Sequence, residues 1–327
     1  MDYKNIFNFY SNVEEKTVDW LWYPYIPYGK ITLIEGDPGE GKSTFMINIA
    51  ALLTKGKKLP DGYKVPIPIT VVYQCNEDDI YDTIKPRLLS AKADCNKIAY
   101  IIDDDAPLDL EDDRIEYAIS QTNARLFILD PFQSFLSQNN DIQNSGRMRY
   151  LLGRLSDIAA KYNCAVVLVG HMNKSKGSKS LYRGMGSIDI TAIARSVLMV
   201  IRDSSDSTIR YMIPIKSNLA PIGNAIGFHF DKSKGFEWLG TCDINVEEEI
   251  SGGNMPGKKA VAIEMLTSLL SDGPKSTKKI FDHMATLKIS DRTLYTAKKE
   301  LNISSYRSNG LWYWKLPDIE GQTDEED

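Results

Sequence analysis

Histidine and cysteine are both scarce in this chain of 327 residues, which carries three histidines and four cysteines. Cys75, Cys95, Cys164 and Cys242 share no close spacing, which argues against a zinc site and a disulfide framework and fits reduced thiols. No apolar run approaches the roughly 18 residues that a membrane-spanning helix needs, and the polar, acidic start lacks the layout of a secretory signal. The expectation is a cytoplasmic protein with no membrane partner. Repeats at solenoid periods are also lacking, which excludes a stacked-repeat architecture. The formal net charge of −5 excludes a uniformly basic nucleic-acid coat. It is unevenly spread, however. Between Asn254 and Leu316 there are 11 Lys/Arg against 5 Asp/Glu, a local +6 that leaves −11 elsewhere.

What is present is a regular alternation. From about Lys30 to Val200 the apolar runs "KITLIEG", "ITVVYQCN", "KIAYIID", "RLFILD" and "CAVVLVGH" are separated by helical patterns such as Ser43–Thr54 and Arg147–Lys161. Continuous apolar strands separated by helices predict an α/β fold with a mostly parallel sheet covered on both faces. The stretch "RSVLMVIRDSSDSTIRYMIPIKSN" predicts a hairpin turning at 203–207, with a second short pair over Ala225–Leu239. Residues 241–257 carry Gly, Pro and acids without periodicity and read as a linker. Helical patterns follow at 258–271, 276–287 and 290–301, and then "ISSYRSNGLWYWKL" reads as two strands around a turn. Residues 1–240 thus form one domain, 258–316 a small winged helix-turn-helix domain, and 317–327 an acidic disordered tail.

The string "GDPGEGKS" satisfies G-x-x-x-x-G-K-[ST] over Gly36, Asp37, Pro38, Gly39, Glu40, Gly41, Lys42 and Ser43. The glycines let backbone N–H groups turn inward as an anion nest, and the helix that follows adds its positive end. Lys42 would reach the β- and γ-phosphates of ATP, Ser43 would bind Mg²⁺, and Thr44 would lie near the α-phosphate. The apolar strand before the loop and the apolar helix after it distinguish it from an ordinary Gly-rich turn.

A hydrated Mg²⁺ needs a second carboxylate at the end of a buried strand, and "RLFILDPF" supplies Asp130 after four apolar residues. A group that polarises the attacking water is expected at another strand end, because doubly wound sheets bind ligands there. In "VVYQCNEDDIYDTI" we assign that general-base role to Glu77. Asp78 and Asp79 would favour a helix start near Ile80, and Glu77 could do no more than that itself. His171 ends "CAVVLVGH", where it can hydrogen-bond the γ-phosphate or its water, or pack as a core histidine.

The order and spacing of these segments resemble the RecA-like AAA family ATPases typified by the plasmid RepA hexameric replicative helicases. The resemblance covers about residues 17–240. It is carried by "VDWLWYPYIPYGKITLIEGDPGEGKST", "NEDDIYDTIKPRL", "FILDPFQSFL", "VVLVGHMNKSKG" and "LYRGMGSIDITAIARSVLMV". It implies a RecA-like core, Mg²⁺-dependent ATP hydrolysis, and active sites at subunit boundaries in a homo-oligomeric ring, expected to be a hexamer. It also implies a cation inserted from the neighbouring subunit. DnaB-like relatives carry Lys-x-Arg there, whereas this chain has "IPIKSNLAP": Lys216 matches and Asn218 stands in place of the arginine. Arg210, Arg195 or Arg183 could contribute instead.

Two regions suit DNA. "MNKSKGSKSLYRGMGS" places Lys174, Lys176, Lys179 and Arg183 among Gly and Ser directly after His171, a flexible basic loop able to track single-stranded DNA without reading bases. In "KISDRTLYTAKKELNI", Ser290 caps a helix that turns Leu294, Ala297 and Leu301 inward. Arg292, Tyr295, Thr296 and Lys299 then face outward toward duplex DNA. Arg307 lies near a wing turned by Asn309-Gly310, and Trp312 and Trp314 are expected on the core with Tyr313 turned away. The leading reading is an ATP-driven DNA motor of the hexameric helicase type in replication or recombination. A RecA/RadA-like repair or loader ATPase and a nucleotide-gated DNA-binding regulator are the alternatives.

Overall fold

The structure, a computed structural model, describes residues 7–103, 106–136, 145–171, 188–231, 235–244, 246, 249, 258–287, 289–308 and 310–317. The chain divides into two compact units, Met1–Ile244 and Asn245–Asp327.

The first unit is built on a nine-stranded sheet, preceded by a small antiparallel pair, β1 (Trp20–Trp22) and β2 (Ile26–Pro27). The strands of the sheet are β3 (Ile31–Glu35), β4 (Val71–Cys75), β5 (Ile98–Ala99), β6 (Leu126–Asp130), β7 (Ala165–Val169), β8 (Ser196–Arg202), β9 (Ile209–Ser217), β10 (Ala225–Asp231) and β11 (Gly235–Cys242). Their order is β11-β10-β9-β8-β3-β7-β6-β4-β5. Strands β8, β3, β7, β6, β4 and β5 run parallel, and β8 to β11 form an antiparallel meander. Every residue of β3, β6 and β7 is buried, as expected for parallel strands with both faces covered.

Alternate side chains feed two cores. Ile34, Ile128 and Val167 pack on one face with α1 (Lys42–Thr54) and α2 (Lys85–Ser90). Leu33, Phe127 and Val166 pack on the other with α3 (Asp113–Thr122) and α4 (Ser145–Tyr162). A short α5 (Ile188–Ile193) precedes β8. Helix α1 is apolar nearly all round because it is covered twice, by the sheet and by aromatic rings. Phe45 lies 5.4 Å from Phe228 and 5.5 Å from Trp238, and stacks on Trp22. The run "KIAYIID" pairs only at Ile98–Ala99. Beyond that, the Gln74 side chain replaces the ladder, donating to the Ile101 carbonyl and accepting from the Ile101 amide.

The second unit holds α6 (Lys258–Ser271), β12 (Lys275–Ser276), α7 (Thr277–Thr286), α8 (Asp291–Glu300), β13 (Ser304–Ser308) and β14 (Leu311–Lys315). Its sheet order is β12-β14-β13, and Ala262, Leu266, Ile280, Met284, Leu294, Ala297 and Trp314 form its core. Ser276 and Ser290 cap α7 and α8 by accepting from Lys279 and Thr293 amides. One expectation fails: Trp314 is buried, but Trp312 is 55% exposed and Tyr313 is the more covered of the two. Trp312 shares the helix-facing side of β14 with Trp314 yet lies past the end of the helical cover. Most of 241–257, the wing residue Asn309 and all of the tail except Pro317 lie outside the described residues. Among the described residues no helix is long and apolar enough to cross a membrane.

Candidate nucleotide site

The loop Gly36–Gly41 leaves β3 at the rim where the parallel strands end. A Cβ on Gly36 would sit 2.3 Å from the Val200 carbonyl oxygen, so the chain turns against β8 only as glycine. Gly39 and Gly41 have φ of 83° and 86°, the left-handed region, and Gly41 is the N-cap of α1. The loop is braced from behind. Glu40 pairs with Arg202 at 3.3 Å, and the Arg210 side chain packs against Gly41, its Cδ 3.4 Å from where a Cβ would be. Arg210 is itself buried, donating through Nη1 to the carbonyls of Ser207, Thr208 and Phe230. Burial, then the nearby Arg202, pulls its pKa down.

Lys42 is 4% exposed. Its ammonium donates to the carbonyls of Gly36 at 2.7 Å and Asp37 at 3.0 Å, and lies 3.4 Å from His171 Nδ1. Burial lowers its pKa, opposed first by Asp130 and then by Asp37, Glu40 and Glu77. A buried cation curled onto its own loop, with carboxylates near but none recorded in contact among the described residues, is electrostatically short of an anion. A phosphate chain fits that deficit.

Asp130 is equally buried. It accepts a hydrogen bond of 2.5 Å from the Tyr73 hydroxyl and another from the Ser43 hydroxyl. Burial raises its pKa, while those two bonds and the Lys42 charge oppose the rise. The Tyr73 phenol, raised well above its ordinary value by burial and by Asp130, remains a donor. A hydroxyl and a carboxylate converging beside a phosphate nest are hard oxygen donors of the kind Mg²⁺ takes. Tyr73 was not singled out from the sequence. The signal was there, since a tyrosine inside a buried strand needs a partner for its hydroxyl.

Glu77 is exposed, and its Oε2 lies 3.9 Å from His171 Nε2. The two ring nitrogens of His171 therefore face Lys42 on one side and Glu77 on the other. Helix-start work falls elsewhere: Asp79 caps the π-helical turn Ile80–Ile84 by accepting from Tyr81 and Asp82 amides, and Asp78 pairs with Arg87. Lys42, Ser43, Glu77, Asp130 and His171 thus meet along one rim. Lys216 does not join them. It pairs with Val197 near the start of β8 and donates to the carbonyls of Thr191 and Ala194, at 2.7 and 3.0 Å. Burial, then Arg195, lowers its pKa.

The DNA candidates are only partly visible. Lys174, Lys176, Lys179 and Arg183 lie outside the described residues, as does the side chain of Arg292. Thr296, Lys299 and Arg307 are exposed. Tyr295 is also exposed, but its ring packs against Phe281 and Trp314 at 5.8 and 5.9 Å.

A glycine-rich nest on a buried strand, its lysine, and a hydroxyl–carboxylate pair define a P-loop ATPase domain on a RecA-like α/β sheet. The chain belongs to the AAA domain family, whose profile matches residues 4–177. It is similar to the DNA repair protein RadA of Halalkalibacterium halodurans, 25% identical over 252 residues, covering 72% of this chain and 48% of that one. The chain therefore spans about half the length of the curated relative it matches. Among solved structures it is similar to the ATPase domain of a helicase, with a TM-score of 0.48 and 14% identity over 65% of this chain and 85% of that one. A KaiC-like protein from Pyrococcus horikoshii OT3 gives a TM-score of 0.46 and 19% identity over 65% and 90%.

Proposed function

We propose that this chain is a Mg²⁺-dependent ATP hydrolase coupled to DNA binding or translocation in replication or recombination, working as a homo-oligomer of the hexameric helicase type. The observation that carries the reading is the convergence of Lys42, Asp130, His171 and Glu77 on one sheet rim. The nest from Gly36 to Thr44 cradles the phosphates and Lys42 turns from its carbonyls to the β- and γ-oxygens. Ser43 and Asp130 hold Mg²⁺, which when bound neutralises charge on the phosphate oxygens. Glu77 takes the proton of the attacking water as its oxygen bonds to the γ-phosphorus and the bond to the ADP oxygen breaks. His171, between Lys42 and Glu77, reads the γ-phosphate. Lys216, directed away from its own loop, acts on a neighbouring copy's nucleotide.

The link to DNA is supported by the relative named as a DNA repair protein and by the second unit, whose three helices and hairpin are read as a winged helix-turn-helix with a local +6 charge. Arg292, Tyr295, Lys299 and Arg307 would meet duplex DNA, and Lys174, Lys176, Lys179 and Arg183 a single strand. The same relative favours a second reading, a RadA-like repair or loader ATPase without unwinding. ATPase measured with and without single-stranded DNA, alongside strand displacement on a forked duplex, separates the two. Stimulation with displacement supports the motor, and stimulation alone supports the loader. ATPase indifferent to every DNA overturns both.

A further inference from the structure

Two apolar features of the first unit lack partners among the described residues, and they match. The segment Phe7–Val13 carries Phe7, Phe9 and Tyr10, which are 76%, 67% and 95% exposed. Exposed apolar residues scattered singly need no explanation, but three aromatics so close together do. The segment is also locally shaped. The Asn8 side chain accepts from the Phe9 amide and the Asn12 side chain, Tyr10–Asn12 forms a 3₁₀ turn, and the Phe7 and Phe9 rings pack edge to face at 6.0 Å. A knob held by its own hydrogen bonds loses less freedom on docking than a floppy tail.

The matching hole lies at the far edge of the sheet. There β4, β5, the π-helical turn and α2 enclose a cavity of about 240 Å³, lined by Ile80, Ile84, Leu88, Ile98, Cys95 and Lys85 among others. Strand β5 is the last strand of the sheet, and its outer edge has no strand partner among the described residues. Tyr100 and Ile102, just beyond it, are exposed. An unpaired edge beside an apolar hole is what an added extended segment occupies, its backbone pairing with the edge and its rings filling the hole. The charges agree: Glu14 and Glu15 follow the aromatic knob, while Lys85 lines the hole and Lys97 precedes β5.

We infer that the aromatic segment Phe7–Tyr10 of one copy seats in the β5-edge cavity of a second copy. This rests on the homo-oligomeric reading above and names the surface that builds it. Knob and hole are different patches of the same chain, so the contact is heterologous and repeats head to tail, generating a ring if the rotation closes and a filament if it does not.

The test uses the full chain carrying Phe9→Cys, oxidised with diamide and run on a non-reducing gel. Seating between copies puts the new thiol beside Cys95, giving covalent dimers and higher ladders that disappear when Cys95→Ser is added. A monomer containing an intramolecular link to Cys95 would show the knob in its own cavity and overturn the proposal, as would absence of any link through Cys95. Mass photometry of Phe7→Ala/Phe9→Ala with ATP is the second arm. The midpoint of assembly is expected at least tenfold higher in protein concentration than for the parent chain. Assembly unchanged in that variant would overturn the docking surface and leave the oligomer standing. A parent chain that stays monomeric at all concentrations would instead sink the oligomeric reading itself.

Discussion

Replacing Tyr73 by phenylalanine removes one oxygen and leaves the ring packing of β4 in place. That oxygen donates to Asp130 at 2.5 Å, and both groups are buried. A hydrogen bond to a charged acceptor is worth about 1.5–3 kcal/mol. Asp130 keeps its bond from Ser43, so the lower part of that range applies, about 1.5–2 kcal/mol. For a unit of this size the melting temperature should fall by about 3–8 °C. The pH dependence follows from the direction of the shift. The folded-state value of Asp130 is already raised by burial, so this carboxyl contributes stability that is fully present below its unfolded value and lost as pH rises through its folded value. Removing Tyr73's bond raises the folded value further. The melting deficit of Tyr73→Phe should therefore be largest at neutral pH, where the ionised carboxylate needs its donor, and smallest in acid. In turnover, the acid limb of ATPase should move to higher pH and the Mg²⁺ half-saturation should rise by about tenfold, as a loss near 1.4 kcal/mol implies. Nucleotide affinity without Mg²⁺ should hold. The assays are scanning calorimetry across pH and ATPase against Mg²⁺. An unmoved acid limb with unchanged Mg²⁺ dependence would refute the assignment of Asp130 as the metal carboxylate.

Two further substitutions probe the same rim. Lys42→Ala should abolish ATP binding, whereas Glu77→Gln should retain affinity within a few-fold and lose turnover; equal loss of binding in both, by titration calorimetry, would remove Glu77 from the chemical role. Gly36→Ala drives a methyl group to within 2.3 Å of the Val200 oxygen, so the loop or β8 must shift, at a cost of about 1–3 kcal/mol. ATP affinity should fall with it. Gly39, whose Cβ position is open, should tolerate alanine better in melting temperature, losing only the roughly 1–2 kcal/mol of its left-handed backbone.

Much of the first unit was legible because its strands are buried on both faces, so the sequence writes them as unbroken apolar runs ending in a polar residue. Asp130 and His171 stand out for that reason, as chemistry placed where burial is expensive. The exception is "KIAYIID", which reads as a long strand and pairs at two positions, because a side chain, Gln74, satisfies the backbone of Ile101. Periodicity does not register such substitutions. Tyr73 was missed because its ring satisfies the apolar pattern and only the register shows where its hydroxyl goes. Trp312 was misplaced because alternation along β14 assigns a side but not how far the helices extend over it. Arg210 drew attention as a possible trans cation, yet it braces the loop in its own chain, a role set by the β9–β10 pairing rather than by any local motif.

The chain's path explains why residues scattered from Lys42 to His171 form one row. After β3 and α1 the chain does not lay its next strand beside β3. It places β4 three positions away, adds β5 outside it, and only later fills the gap with β6 and then β7. The last-filled places lie between the strand that carries the phosphate loop and the strand that carries Glu77. Since neighbouring strands are about 4.8 Å apart, the rim between β3 and β4 is roughly 14 Å wide. That width suits a phosphate chain with its hydrated cation, and the two inserted strands end in the residues that address it, His171 and Asp130. His171 belongs to the strand next to β3, so its ring is placed between Lys42 and Glu77, where movement of either toward a γ-phosphate changes its contacts. The segment after His171 continues directly from that strand. A change at the phosphate is therefore transmitted along the backbone of one residue's own chain, without any relay through the core.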